Sequence, residues 1–354
     1  MPASSLTPAA APKARIAFLD YLRIFAFASV LVGHKFGEPV RMAAERNADA
    51  WHWPARLFWP FIEGGGAGVV VFFLVSGYII TQVIQRERTA EFLIKRALRI
   101  YPLYVVAVLS EYALLRAHGQ GVALNVLVPQ LLLLGDVLGA PYALAGVEWT
   151  LRLELSFYLL MAVLRSTGLA QLARVRWWVL AYLLVVLVLY LAGPLATHSA
   201  WSRGYVSLFL PFLLLGSMVR LCEQRAVGWP AWLAFAALVL VAYRWGLHAW
   251  QPRWLHAPFP VLALALFMLL WGARRHLPAP AWVLALSELT YAVYLFHNWL
   301  FDVLRDGSVR VFGLGTVSAA LAGLAGLLAV CWALVRLVEQ PAIRWGRRLA
   351  GQGS

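Results

Sequence analysis

Several polar side chains sit in apolar surroundings where they can do chemistry. The stretch RIFAFASVLVGH sets Arg23 and His34 at the two ends of a nearly apolar run. Eleven residues along a helix separate them by about 16 Å in depth and return them to nearly the same face. FLIKRALRIYPLY places Arg96 and Arg99 about one turn apart, just before Pro102. VEWTLRLELSFYLL carries Glu154, with Phe157 and Tyr158 at i+3 and i+4 on its face. Arg152 is off that face, so an intrahelical pair with Glu154 is not expected. LSELTYAVYLFHNW carries Ser287, Glu288, Tyr291, Tyr294, His297 and Asn298. Ser287, Tyr291, Tyr294 and Asn298 recur at i, i+4, i+7 and i+11, one polar stripe that must face a cavity or another helix. VEQPAIRW adds Glu339 and Pro341. Histidine exchanges protons near neutral pH, arginine binds phosphates through charge-assisted hydrogen bonds, and a carboxylate in an apolar helix needs a partner.

The elements that hold these groups follow from composition. The chain has 354 residues, 62% hydrophobic and 13% charged, against about 45–50% and about 25% in soluble domains. Repeated apolar runs near the length of a bilayer-spanning helix predict an all-α, polytopic integral membrane protein of about ten transmembrane helices in a single membrane domain. The spans are placed at 16–36, 64–85, 98–117, 147–165, 177–194, 204–221, 230–246, 257–272, 282–304 and 311–338. Residues 1–15 read as a disordered cytoplasmic tail, 16–348 as the membrane domain and 349–354 as a short cytoplasmic tail. Segment 118–146, with a proline inside a short apolar stretch, fits an interfacial or re-entrant helix better than a span.

Positive-inside counting orients the chain. With both termini cytoplasmic, 19 of the 30 basic residues fall on the inner side, from Lys13, Arg15 and Arg23 to Arg344, Arg347 and Arg348. The outer loop 37–63 carries Arg41, Arg46 and Arg56, partly offset by Glu38, Glu45, Asp49 and Glu63. Because the net charge of +14 sits at helix ends, it does not point to nucleic acid. Cys222 and Cys331 offer neither a disulfide framework nor metal spacing. In FFLVSGYIIT, Ser76, Gly77 and Thr81 are small and suit close helix packing. EGGGAG (63–68) reads as a flexible outer turn and lacks the context of a phosphate loop.

The order of these motifs resembles the membrane acyltransferase family 3, bacterial O-acyltransferases that modify glycans and some secondary metabolites. The matching stretches are LDYLRIFAFASVLVGH, FFLVSGYIIT, KRALRIYPLY, EWTLRLELSFYLL, LTYAVYLFHNW and VEQPAIRW, in the family's order from residue 19 to 345. The family's Arg-x10-His pattern falls on Arg23 and His34, and its Arg-x-x-Arg pattern on Arg96 and Arg99. Its Trp-Ser-Leu-x-x-Glu pattern falls on Trp149 and Glu154, with Thr150 for the serine; Arg152 and Ser156 also depart from it. The resemblance implies transfer of an acyl group, most commonly acetyl from acetyl-coenzyme A, to a hydroxyl. Acetyl-coenzyme A is then a co-substrate, with no permanently bound cofactor and no metal. Arg23, Arg96, Arg99 and Arg344 are expected to bind the donor's phosphates from the cytoplasm. His34, Glu154 and His297 are expected in the outer halves of their helices, with His34 as general base and Glu154 or His297 orienting or relaying. Ser76, Gly77, Trp149, Tyr158, Tyr291, Tyr294 and Glu339 are expected to support them.

The expected acceptor is a surface or exported glycan such as exopolysaccharide or O-antigen, free or lipid-linked; a macrolide-type metabolite is the alternative. Expected partners are the acyl-coenzyme A donor, the glycan, the lipid bilayer and glycan-assembly proteins, with no nucleic acid. The expected location is the bacterial inner membrane. A transporter or flippase for a lipid-linked glycan would also use intramembrane His, Glu and Arg. The chain shows no pair of matching halves with interrupted helices, the usual mark of that class.

Overall fold

The computed structural model describes residues 16–46, 50–195 and 199–351. The whole expected tail 1–15, with Lys13 and Arg15, lies outside the described residues, as do Asp49 and residues 352–354. Among the described residues all regular structure is helical. The first half comprises α1 (Ala17–Lys35), α2 (Gly37–Glu45), α3 (His52–Ile62), α4 (Gly66–Ile84), α5 (Thr89–Ala117), α6 (Leu124–Leu131), α7 (Gly135–Leu138) and α8 (Trp149–Ser166). The second comprises α9 (Val175–Leu191), α10 (Tyr205–Glu223), α11 (Trp229–Trp250), α12 (Phe259–Gly272), α13 (Ala281–Phe296), α14 (Leu300–Phe312), α15 (Thr316–Leu334) and α16 (Gln340–Gly351).

Six helical stretches are long and apolar enough to cross a bilayer: α1, the α3–α4 run, α9, α10, α11 and the α15–α16 run. By that measure the expected ten spans are not reproduced. Helices α12 and α13 are apolar but shorter, and α5 and α8 carry charged side chains that the sites use. Segment 118–146 forms only α6, α7 and a short 3-10 turn, none long enough to span.

Helices α4 and α10 form the centre, because in lipid close packing and hydrogen bonds hold helices together rather than hydrophobicity. A Cβ on Gly77 of α4 would lie 1.9 Å from the Leu213 carbonyl oxygen, and one on Gly216 of α10 would lie 2.1 Å from that of Leu74. The two backbones touch there, so the packing expected of Ser76–Gly77 is what the fold uses. Hydroxyls reinforce the contact: Tyr182 of α9 and Thr81 of α4 both hydrogen-bond Ser217 of α10. Peripheral α9 and the α15–α16 run are only 22% buried over their most apolar stretch, against 89% for α10, as lipid-facing helices should be.

Four expectations change. The first half of EGGGAG, Glu63–Gly65, is a tightly packed 3-10 turn rather than a flexible one, and the second half opens α4: Gly64 and Gly65 have φ of +55° and +70°, and Gly64 abuts the Trp254 ring. Positive φ is available to glycine at little cost, which lets the chain enter α4 beside α1. Loop 37–63 folds into α2 and α3. The span expected at 282–304 breaks after Phe296, and α14 begins at Leu300. The last span begins at Thr316 rather than residue 311, and Glu339–Pro341 does not stop it. It passes through a π-turn at Val335–Glu339 into α16, which packs against α5.

Candidate active site

Two groups of polar residues lie at opposite ends of the bundle. At one end, α1 and α13 finish side by side, and His34 Nδ1 lies 3.0 Å from His297 Nε2 with the rings stacked at 5.2 Å. The network sets the tautomers. His297 Nδ1 is 2.7 Å from the Tyr294 carbonyl oxygen, which only accepts, so His297 carries its proton on Nδ1. In neutral His297, Nε2 is then an acceptor, and His34 Nδ1–H donates to it. The lone pair of His34 Nε2 remains free to act as a base. His297 is 1% exposed, whereas His34 keeps open surface facing a cavity of about 330 Å³. His34 can therefore meet a substrate, and His297 orients it.

The chain break after Phe296 is itself held. Lys35, 8% exposed, donates to the Asn298 carbonyl and to Asp302 Oδ2, both at 2.6 Å. Asn298 Nδ2 donates to the Ala145 carbonyl. These contacts clamp the α13–α14 turn onto the end of α1 and so fix His297 against His34. The cavity walls include Trp149, Trp201, Tyr205, Arg253, Trp254 and Tyr294.

At the other end, Arg23 of α1, Arg96 and Arg99 of α5, Tyr158 of α8 and Tyr291 of α13 line a cavity of about 60 Å³. A neighbouring cavity of about 430 Å³ shares Arg23, Arg99 and Tyr291 and adds Ser287, Glu288, Glu339, Arg344 and Arg347. The π-turn and α16 bring the last three there. Arg99 Nη1 is 4.0 Å from Glu339, and Arg23 pairs at 3.6 Å with Asp20, which accepts from Ser287 Oγ at 2.6 Å. The four arginines expected at the donor site are thus brought together.

Glu154 belongs to this arginine end. It lines the smaller cavity and accepts hydrogen bonds from Ser76 Oγ at 2.9 Å and from the Tyr158 hydroxyl. No hydrogen bond or shared cavity connects it to His34, because α8 turns Glu154 toward α4 and α5. The expectation that it stands with the two histidines is corrected. Tyr294 lines the histidine cavity, where Thr150 Oγ1 donates to its hydroxyl at 2.7 Å. The polar stripe of α13 accordingly runs from one cavity to the other. Between them, Phe72 and Tyr294 stack with parallel rings 6.1 Å apart. Phe72 faces both arginine-end cavities and Tyr294 the histidine cavity.

Some site residues escaped the sequence reading. Arg152 pairs with Glu148 one turn earlier and with Asp136 at 3.0 Å, and the Tyr104 hydroxyl donates to Glu148 at 2.6 Å. This buried cluster anchors segment 118–146 to α5 and α8. The i,i+4 spacing of Glu148 and Arg152 was a readable signal. Lys35, Asp302, Phe72 and Arg253 gave none that distinguished them. Among the described residues no group of three or more His, Cys, Asp or Glu side chains is arranged to hold a metal ion.

A family described as "Acyltransferase domain" matches residues 16–336. Nodulation protein 10 of Rhizobium leguminosarum bv. viciae is 28% identical over 92% of this chain and 92% of its own length. The exopolysaccharide production protein ExoZ of Rhizobium meliloti (strain 1021) is 26% identical over 80% of this chain and 91% of its own. No solved structure matches. With the family match running through both polar ends of the bundle, the chain belongs to the membrane acyltransferase family 3.

Proposed function

We propose that this protein transfers an acyl group, acetyl from cytoplasmic acetyl-coenzyme A, to a hydroxyl of a surface or exported glycan at the bacterial inner membrane. The observation that carries the reading is the exposed His34 ring, held at Nδ1 by a buried His297, at the opposite end of the bundle from a cluster of arginines. A polyanionic donor fits the arginine end, and a neutral alcohol fits the aromatic histidine end. The relative named for exopolysaccharide production favours a glycan acceptor.

In this reading Arg23, Arg96, Arg99 and Arg344 hold the donor's phosphates, and its thioester arm extends past Phe72 and Tyr294 toward His34. The acceptor oxygen attacks the thioester carbonyl carbon while its proton moves to His34 Nε2. His34 Nδ1–H stays hydrogen-bonded to His297, which spreads the charge of the imidazolium. Collapse of the tetrahedral intermediate breaks the C–S bond, and His34 returns the proton to the departing sulfur, giving the ester and free coenzyme A. General-base assistance of this kind contributes about 10²–10⁴-fold. The test is transfer of labelled acetyl from acetyl-coenzyme A to an oligosaccharide by the purified protein in lipid nanodiscs. Label in an alkali-labile ester supports the reading; turnover-free donor binding with transport of a lipid-linked glycan would replace it.

A further inference from the structure

The histidine cavity is aromatic, with Trp149, Trp201, Tyr205 and Trp254 in its walls, yet one arginine, Arg253, also lines it. Arg253 follows α11 in a short 3-10 turn, Pro252–Trp254. Its Nη2 donates to the Trp201 carbonyl and to the Tyr205 hydroxyl at 3.0 Å, and its guanidinium lies 5.5 Å from the Trp254 ring centroid. Those contacts fix the plane of the group and leave Nη1 and Nε without a partner among the described residues.

Among the described residues no carboxylate neutralises Arg253. Asp302 is taken by Lys35 and Arg305, Asp136 and Glu148 by Arg152, and Glu111 by the backbone N–H groups of Leu144 and Ala145. Glu63, next to Gly64 on the rim, makes no ion pair with it. A guanidinium beside an aromatic ring, with unspent N–H groups in the wall of a cavity, can make charge-assisted hydrogen bonds to a carboxylate or phosphate. Aromatic rings supply flat faces for the C–H faces of sugars, and Arg253 supplies what a neutral sugar would not use.

We propose that Arg253 is an anion subsite of the acceptor cavity. The acceptor is an acidic glycan whose carboxylate, or whose phosphate if it is carried on a lipid, sits on the guanidinium while the hydroxyl to be acylated faces His34 Nε2. The subsite rests on the acyl-transfer reading and is tested so that the two fail separately.

Three acceptors are compared with the full-length protein in nanodiscs: an oligosaccharide containing a hexuronic acid, its carboxyl-reduced neutral counterpart, and that neutral counterpart bearing a terminal phosphate monoester. Binding is measured by saturation-transfer NMR and transfer by labelled acetyl. The wild type should bind one charged acceptor at least tenfold more tightly than the neutral one, and the preferred charge identifies the source of the anion. Arg253→Gln should bring that ratio to about one, and Arg253→Lys should keep part of it; a purely structural arginine would weaken all three acceptors alike. Charge-dependent binding without transfer would keep the subsite and overturn acyl transfer to these glycans. Transfer without charge preference, or a preference surviving Arg253→Gln, would overturn the subsite alone. Failure of all three to bind would overturn both.

Discussion

Replacing His297 tests the chemistry without touching the base. Its Nε2 accepts from His34 Nδ1 at 3.0 Å, and its Nδ1 donates to the Tyr294 carbonyl at 2.7 Å. His297→Ala removes both bonds and the stacked ring. A hydrogen bond between neutral groups is worth about 0.5–1.5 kcal/mol net, so losing the tautomer bias alone costs roughly 2- to 13-fold. Loss of the stacked neighbour frees the His34 ring to rotate, and a misplaced base costs more. Together the expected loss in turnover is about 10- to 100-fold, smaller than for removing the base itself. His297→Gln keeps both bonds, because the amide oxygen accepts from His34 while the amide nitrogen donates to Tyr294. It should stay within about tenfold of wild type. Groups acting as one unit are non-additive, so His34→Ala with His297→Ala should be no slower than His34→Ala alone. Turnover is measured as labelled acetyl transfer at saturating donor and acceptor. A fully active His297→Ala, or a double variant whose loss equals the product of the two single losses, would refute the orienting role.

Arg99→Ala should weaken acetyl-coenzyme A binding about tenfold, since hydrogen bonds to charged groups are worth about 1.5–3 kcal/mol and Arg99 is partly open to solvent; calorimetry on the purified protein checks this, and Arg99→Lys should rescue poorly because it lacks the planar fork. Phe72→Ala removes half of the stacked pair between the cavities, so acceptor-independent hydrolysis of acetyl-coenzyme A should rise several-fold, and Phe72→Trp should slow transfer. Glu154→Gln retains an oxygen that accepts from Ser76 and Tyr158; turnover should fall less than about tenfold, and a thousandfold loss would return Glu154 to the chemistry.

Much of the site was legible because membrane helices make polar residues conspicuous. Arg23 and His34 were placed on one face by spacing alone, and each lines a cavity; the α13 stripe read as facing inward does so from Ser287 to Tyr294, with Asn298 beyond the end of the helix. The break between α13 and α14 was not visible. Beyond His297 and Asn298 the apolar character resumes at Trp299, Leu300 and Phe301, with no glycine or proline to mark a stop. What holds the break is Lys35 with Asp302, 267 residues away in sequence, a pairing that no local pattern encodes. Glu154 was assigned to the histidines by depth along its helix, but its direction, set by the packing of α8 on α4 and α5, decides its neighbours. Arg253 gave no signal, because its meaning comes from the aromatic walls that α8, α10 and the Pro252–Trp254 turn assemble around it.

The central claim is that His34 Nε2 takes the acceptor's proton, and turnover of His34 variants tests it most directly. His34→Ala and His34→Gln should insert normally, bind acetyl-coenzyme A with wild-type affinity, and lose about 10²–10⁴-fold in acetyl transfer. Either variant retaining more than about a tenth of wild-type turnover at saturating substrates would contradict it.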